Sequence, residues 1–308
     1  MKRKRIWWYE CISNHGNRGY FLAGIIVLLL YGTSTDAMSQ YLKRSLSAIT
    51  EVRMELSSPS AHYSPMFGAG GDSSDIIKGL RRFGYLSVDP SGRSNNARYP
   101  DEEHVLFVLE GTGIINYNRK EVPVCRNDFI YLPRGTKFGF SNAREKKLSV
   151  LIMGFRIMPD SILKPSKRFM IASADEVPLQ VLGSHGPTTQ FQLLLGTTES
   201  TRDRLAAACQ VNSLFIMDFA ANGTNIPHRH EDEEEIYFIL KGNGEIVAGE
   251  PSDGKENRHP SGEGDAYFFS PGTLIGFYSE NTEGKEHARI LAVRFKYPAQ
   301  MKSKSGNK

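Results

Sequence analysis

The sequence predicts an all-β protein of two similar domains in tandem, each a sandwich or barrel. Three observations carry the prediction. The chain repeats itself once, its strand-like runs are short and end in Gly, and helical periodicity is weak throughout. The 308 residues, 40% apolar and 23% charged, suffice for two modest cores. Gly at 29 and Pro at 15 supply the turns that many short strands need.

The repeat aligns GYLSVDPSGRSNNARYPDEEHVLFVLEGTGII (84–115) with FIMDFAANGTNIPHRHEDEEEIYFILKGNGEI (215–246) without a gap. At this offset of 131, Gly92 meets Gly223, Phe107 meets Phe238, Gly111 meets Gly242 and Gly113 meets Gly244. A second block, NDFIYLPRGTKFGF (127–140), aligns with GDAYFFSPGTLIGF (264–277) at an offset of 137. The difference is a net insertion of six residues in the second copy, placed in the polar Gly/Pro-rich stretch 249–264. Two long copies are too few for a solenoid and imply two domains side by side.

In chain order, residues 1–38 read as a leader. Lys2, Arg3, Lys4 and Arg5 open it, the apolar run FLAGIIVLLLY follows at 21–31, and small residues lie near Ala37. This is a signal-peptide pattern, and the run is well short of the about 20 residues that span a bilayer as a helix. Export to a periplasmic or extracellular space is expected. An uncleaved N-terminal anchor, which would be the chain's one link to a membrane, and a misassigned start codon are the alternatives.

Residues 39–75 read as an N-terminal arm, with a short helix over 41–57 and a further helical candidate at 74–82. The first domain takes 76–158, where VLFVLEG, FIYLP and LSVLIMGFRI are strands. Residues 159–200 link the domains and hold the strand-like pieces RFMIAS and FQLLLG, which pack on one domain or bridge the two. The second domain takes 201–298, with IYFILKG, AYFFSP and RILAVRF, and 299–308 is a basic, solvated tail.

The net charge of +4 is concentrated at the start, since residues 1–38 carry +3 and leave +1 for the rest. The folded part therefore has no basic stripe, and a nucleic-acid partner is not expected. The cysteines Cys11, Cys125 and Cys209 match no zinc or redox spacing. Cys125 and Cys209 are expected as buried free thiols, with a disulfide between them as the alternative in an exported protein.

Chemistry concentrates in the second copy. His228 and His230 are two apart, so on a strand both face one side. A tight acidic turn follows, and Glu235 opens the next strand, where its carboxylate can join the two imidazoles around one ion. Two His and one carboxylate with open positions form a ligand set for one catalytic divalent ion: Fe, Mn, Zn or Ni. The competing reading is an exposed polar strand with a solvated acidic turn, and Glu231, Asp232, Glu233 and Glu234 read as rim charges. Tyr237 lies two residues beyond Glu235 on the same side, either as a proton donor near the metal or as a packed tyrosine.

The run from Gly223 through His228, His230 and Glu235 to Gly242 resembles the first motif of the cupin superfamily. GDAYFFSPGTLIGF resembles its second, with a Gly-Asp start and a Pro-Gly-Thr turn. The resemblance covers about 84–155 and 214–297. It implies a bicupin, two antiparallel jelly-roll barrels in one chain. The family's second motif usually adds a His just before the Gly-Phe step, and this sequence has Ile275 there. Three protein ligands remain, and a replacement such as His259 in the inserted loop has no positional pattern behind it. In the first copy the corresponding positions are Ala97, Tyr99, His104 and Phe138, a poor metal set. That barrel is expected to be structural, or to bind an organic ligand without metal.

The resemblance implies a metal-dependent enzyme acting on a small organic substrate, with dioxygenases, oxalate-type decarboxylases, aminohydrolases and isomerases as candidate classes. Dioxygenase-like chemistry is slightly favoured, because three ligands leave the most room for oxygen and substrate. The alternative is a non-enzymatic bicupin that binds a small molecule or carbohydrate. Edge strands make a homodimer plausible.

Overall fold

The computed structural model describes residues 41–71, 75–157, 159, 161–280 and 287–296, so the leader and the basic tail lie outside the described residues. Each repeat contributes one large and one small antiparallel sheet. In the first, the large sheet runs, edge to edge, Met170–Ser173, Asp128–Leu132, Glu102–Glu110, Leu148–Arg156, Leu80–Val88, Ala61–Gly68. In the second it runs Tyr41–Ser45, Asp265–Phe269, Glu233–Lys241, Arg289–Lys296, Val211–Phe219, Thr189–Thr197, Gln180–Val181, with Leu205–Ala208 parallel to Thr189–Thr197. The smaller sheets hold Ala97–Arg98, Lys137–Ser141, Thr112–Tyr117 and Lys120–Cys125 in one barrel, and Arg258–Ser261, Gly244–Ala248 and Ile275–Ser279 in the other.

The pleat sorts side chains into three cores. Along Glu102–Glu110, Leu106 and Val108 fill the first barrel, while Val105 and Phe107 face the other domain. Along Glu233–Lys241, Tyr237 and Ile239 fill the second barrel, while Ile236 and Phe238 face the first. The two large sheets thus pack face to face. Phe83 meets Phe238 at 6.3 Å, Phe67 meets Phe268 at 6.1 Å and Phe155 meets Phe295 at 5.0 Å between ring centroids.

The strand ahead of each barrel joins the sheet of the other. Tyr41–Ser45 pairs with Asp265–Phe269, and Met170–Ser173 pairs with Asp128–Leu132, so Ser45 meets Asp265 as Ser173 meets Asp128. The helix expected over 41–57 is therefore corrected: 41–45 is strand and 46–57 is turn and irregular chain. Tertiary pairing overrides the helical pattern, with Lys43 Nζ 3.2 Å from Asp265 Oδ2 and Tyr41 Oη 3.0 Å from His259 Nε2. The candidate helix at 74–82 is likewise absent from its described residues, which form a turn and the start of Leu80–Val88. Both described cysteines are free, but Cys125 is exposed and only Cys209 is buried.

Two buried carboxylates lock the barrels together from matching repeat positions. Glu103 accepts backbone N–H bonds from Cys209 (3.0 Å), Gln210 (2.6 Å) and Val211 (3.2 Å). Glu234, its counterpart, accepts from Lys78 (2.7 Å) and Gly79 (2.6 Å). Both residues are fully buried, so Glu234 is no rim charge. The repeated Gly111 and Gly242 end their strands at φ +83° and +78°, where a Cβ would sit 2.3 Å from Lys147 O and 2.7 Å from Ala288 Cα. Only Gly fits both the backbone angle and the close approach.

Candidate metal centre

His228 is placed by two backbone bonds to Ile275, its N–H to the Ile275 carbonyl and the reverse, both 2.9 Å. His230 is placed by its carbonyl, which accepts from Gly272 N–H at 2.8 Å. The intervening Arg229 turns outward to Glu250, at 2.7 and 3.0 Å. Glu235, buried on the strand Glu233–Lys241, completes the group from the neighbouring sheet.

The three residues predicted from sequence converge. Ligand atoms of His228, His230 and Glu235 all lie within 4.8 Å of one another. The two Nε2 atoms are 3.1 Å apart, and His230 Nε2 is 3.3 Å from Glu235 Oε2. His228 Nδ1 lies 2.9 Å from the Ile226 carbonyl. That contact places the ring proton on Nδ1 and leaves the Nε2 lone pair facing the site. His230 Nδ1 points toward Glu233 Oε2 at 3.6 Å, and Arg294 Nε lies 2.9 Å from the same oxygen as an ion pair, misaligned for a hydrogen bond.

A divalent cation fits this donor set on an observation internal to the site. Glu235 Oε2 is buried and has no hydrogen-bond partner, an arrangement that costs free energy unless a cation or ligand group satisfies it. Burial holds the His228 pKa below its ordinary value, so the imidazole is neutral and free to ligate near neutral pH. The three residues would supply two nitrogens and one oxygen, a mixed set that suits first-row divalent metals.

Tyr237 stands inside the barrel, with its hydroxyl 3.1 Å from Asn225 Nδ2. Burial raises its pKa, and the Glu235 charge adds to the effect. His259 lies apart from the cluster, bonded to Tyr41 and packed beside Tyr267. Phe277 is core, T-shaped against Phe219 at 4.8 Å, and Tyr278 bonds Glu256 beneath the Arg258 guanidinium.

Three participants carried no readable sequence signal. Asn225 is fully buried, donates to Tyr237, and accepts from Phe277 N–H at 2.9 Å, which anchors the loop leading to His228. Ile226 takes φ +56°, a conformation that β-branched residues rarely adopt, and this aims its carbonyl at His228. His185 packs edge-on against His228 at 5.0 Å and against Phe191 at 4.9 Å. No spacing rule connects residue 185 to residue 228, so only the fold brings them together.

The first barrel fills the same place with different chemistry. Tyr99, His104 and Phe138 pack together, with ring centroids 5.0 to 6.2 Å apart. The Arg82 guanidinium lies 3.6 Å above the Tyr99 ring and forks onto Glu102 at 2.8 and 2.9 Å. His104 Nε2 comes within 3.2 Å of Glu102 Oε2, misaligned for a hydrogen bond. A fixed organic cation thus occupies the first barrel's interior beside the position that would otherwise hold ligands.

The Cupin domain profile matches residues 84–154 and 215–294. The chain belongs to the cupin superfamily, as a two-domain member. No match to a curated protein sequence is found. Among solved structures the chain is similar to YlbA from Escherichia coli, with TM-score 0.63, 14% identity, and coverage of 85% of this chain and 93% of that one. It is also similar to a deletion mutant of the oxalate decarboxylase OxdC from Bacillus subtilis, with TM-score 0.58, 10% identity, and coverage of 83% and 76%. The nickel(II) complex of the pirin YhhW from E. coli gives TM-score 0.58, 14% identity, and coverage of 84% and 100%. At these identities the likeness establishes the fold.

Proposed function

We propose that this bicupin is an exported, metal-dependent enzyme whose second barrel holds one divalent ion on His228, His230 and Glu235 and acts on a small organic substrate. The observation that carries the reading is the convergence of two Nε2 atoms on a buried carboxylate oxygen that has no other partner. A divalent ion there supplies Lewis-acid or oxygen-activating chemistry. The chain's own residues set the rest. His228 and His230 fix orientation through their backbone anchors, and Ile275 keeps the fourth position apolar. In this reading Tyr237 is the interior hydroxyl that can hand a proton toward the Glu235 side. Dioxygenase-like chemistry is favoured because three protein ligands leave room for both oxygen and substrate.

The test is metal content measured beside substrate screening. Stoichiometric Fe, Mn, Zn or Ni, together with turnover of a small organic acid or ring substrate under oxygen, supports the reading. A bound metal without turnover, with ligand binding retained, instead favours a binding protein. Export is tested by N-terminal sequencing of the protein recovered from outside the cytoplasm.

A further inference from the structure

We propose that the mouth of the first barrel is a second, metal-independent binding site, built for a small organic anion with an aromatic or apolar body. A cavity of about 760 Å³ opens there, within the usual range of small-molecule sites. One of its walls is the turn equivalent to the one beside the metal centre. The Pro-Gly-Thr turn beside the metal centre is tied to His230 by Gly272 N–H, and the Pro133-Arg134-Gly135-Thr136 turn lining the cavity is tied to Tyr99 by Gly135 N–H at 3.0 Å. His230 and Tyr99 occupy the same repeat position.

The lining gives the ligand class. Tyr117 and Phe169 stack face to face at 4.0 Å with an interplanar angle of 5°, and with Leu163 they form an aromatic and apolar wall. Arg134, Lys164 and Lys167 stand at the rim. Among the described residues one carboxylate, Asp101, shares the cavity, 3.8 Å from Arg134 and largely exposed. Neither lysine makes an ion pair among the described residues, and both are exposed. Among the described residues, three cations against one acid above an aromatic wall favour an anion that also buries a flat apolar body.

The experiment is isothermal titration of the full chain, metal-loaded and metal-stripped, with naphthoate as probe and the neutral naphthalenemethanol as control. The expected result is one saturable naphthoate site per chain in both preparations, with the alcohol bound on the order of tenfold more weakly. A triple variant, Arg134→Gln, Lys164→Gln and Lys167→Gln, should lose about tenfold for naphthoate and leave the alcohol unchanged, which also controls for folding. His228→Ala should bind naphthoate normally. Equal affinity for acid and alcohol, loss of binding in His228→Ala, or no saturable binding would each overturn the proposal.

Discussion

His228 and Ile275 face each other as a doubly hydrogen-bonded pair across the mouth of the second barrel, N–H to carbonyl in both directions at 2.9 Å. Side chains of such a pair lie on the same side of the sheet. Ile275 is buried in the barrel interior. The pairing therefore puts the residue at 275 on the same side as His228, beside the candidate metal centre. Ile275→His should tighten metal binding by about tenfold or more, read by competition with a chromophoric chelator. Unchanged affinity would mean that the side chain at 275 does not reach the ion.

The loop before His228 stores strain. Ile226 holds φ +56° and is half exposed, so little burial is lost on truncation. Ile226→Gly should raise stability by about 1 kcal/mol, the usual cost of a left-handed L-residue. Metal affinity should stay the same, because the carbonyl that orients His228 is retained. Chemical denaturation of the metal-free protein checks the first part.

Much of this architecture was legible in the sequence because the repeat compares the chain with itself. Matching Gly111 with Gly242 fixed the strand ends, and matching His104 with Glu235 exposed the first barrel as ligand-poor. The arm was not legible. Residues 41–45 carry an amphipathic pattern that a helix or a strand can satisfy, and the choice falls to a partner strand more than 200 residues away. Glu234 read as one more acid in a run of acids. Its burial depends on the Lys78 and Gly79 N–H groups of the other barrel, which no local pattern reveals. His185 was invisible for the same reason.

The inter-barrel clasp predicts a large and specific loss of stability. Glu103→Ala removes the acceptor of three buried N–H groups and should cost about 3–5 kcal/mol. Glu103→Gln keeps one acceptor oxygen and should cost less. Denaturant midpoints of the two variants distinguish loss of an acceptor from loss of charge. Equal midpoints to wild type would mean that the clasp contributes nothing.

Acid should act on the first barrel through Glu102. Burial opposes its ionisation, but the Arg82 hydrogen bonds and the adjacent His104 outweigh burial and hold its pKa at about 2. A carboxyl depressed in the folded state stabilises the fold above its ordinary pKa of about 4.5, and that stability drains away as pH falls toward 2. The shift corresponds to about 3 kcal/mol as an order of magnitude. Glu102→Gln should be less stable near neutrality and show a flatter stability profile between pH 4.5 and 2. A wild-type profile with no slope in that window would contradict the assignment.

The central claim is that His228, His230 and Glu235 hold one divalent ion. Elemental analysis of the purified full chain, run beside its His228→Ala variant, tests it most directly. The account predicts close to one equivalent of a first-row divalent metal in the wild type and its loss in the variant. A wild type that stays free of metal when offered Fe, Mn, Zn and Ni, or a variant that keeps a full equivalent, would contradict it.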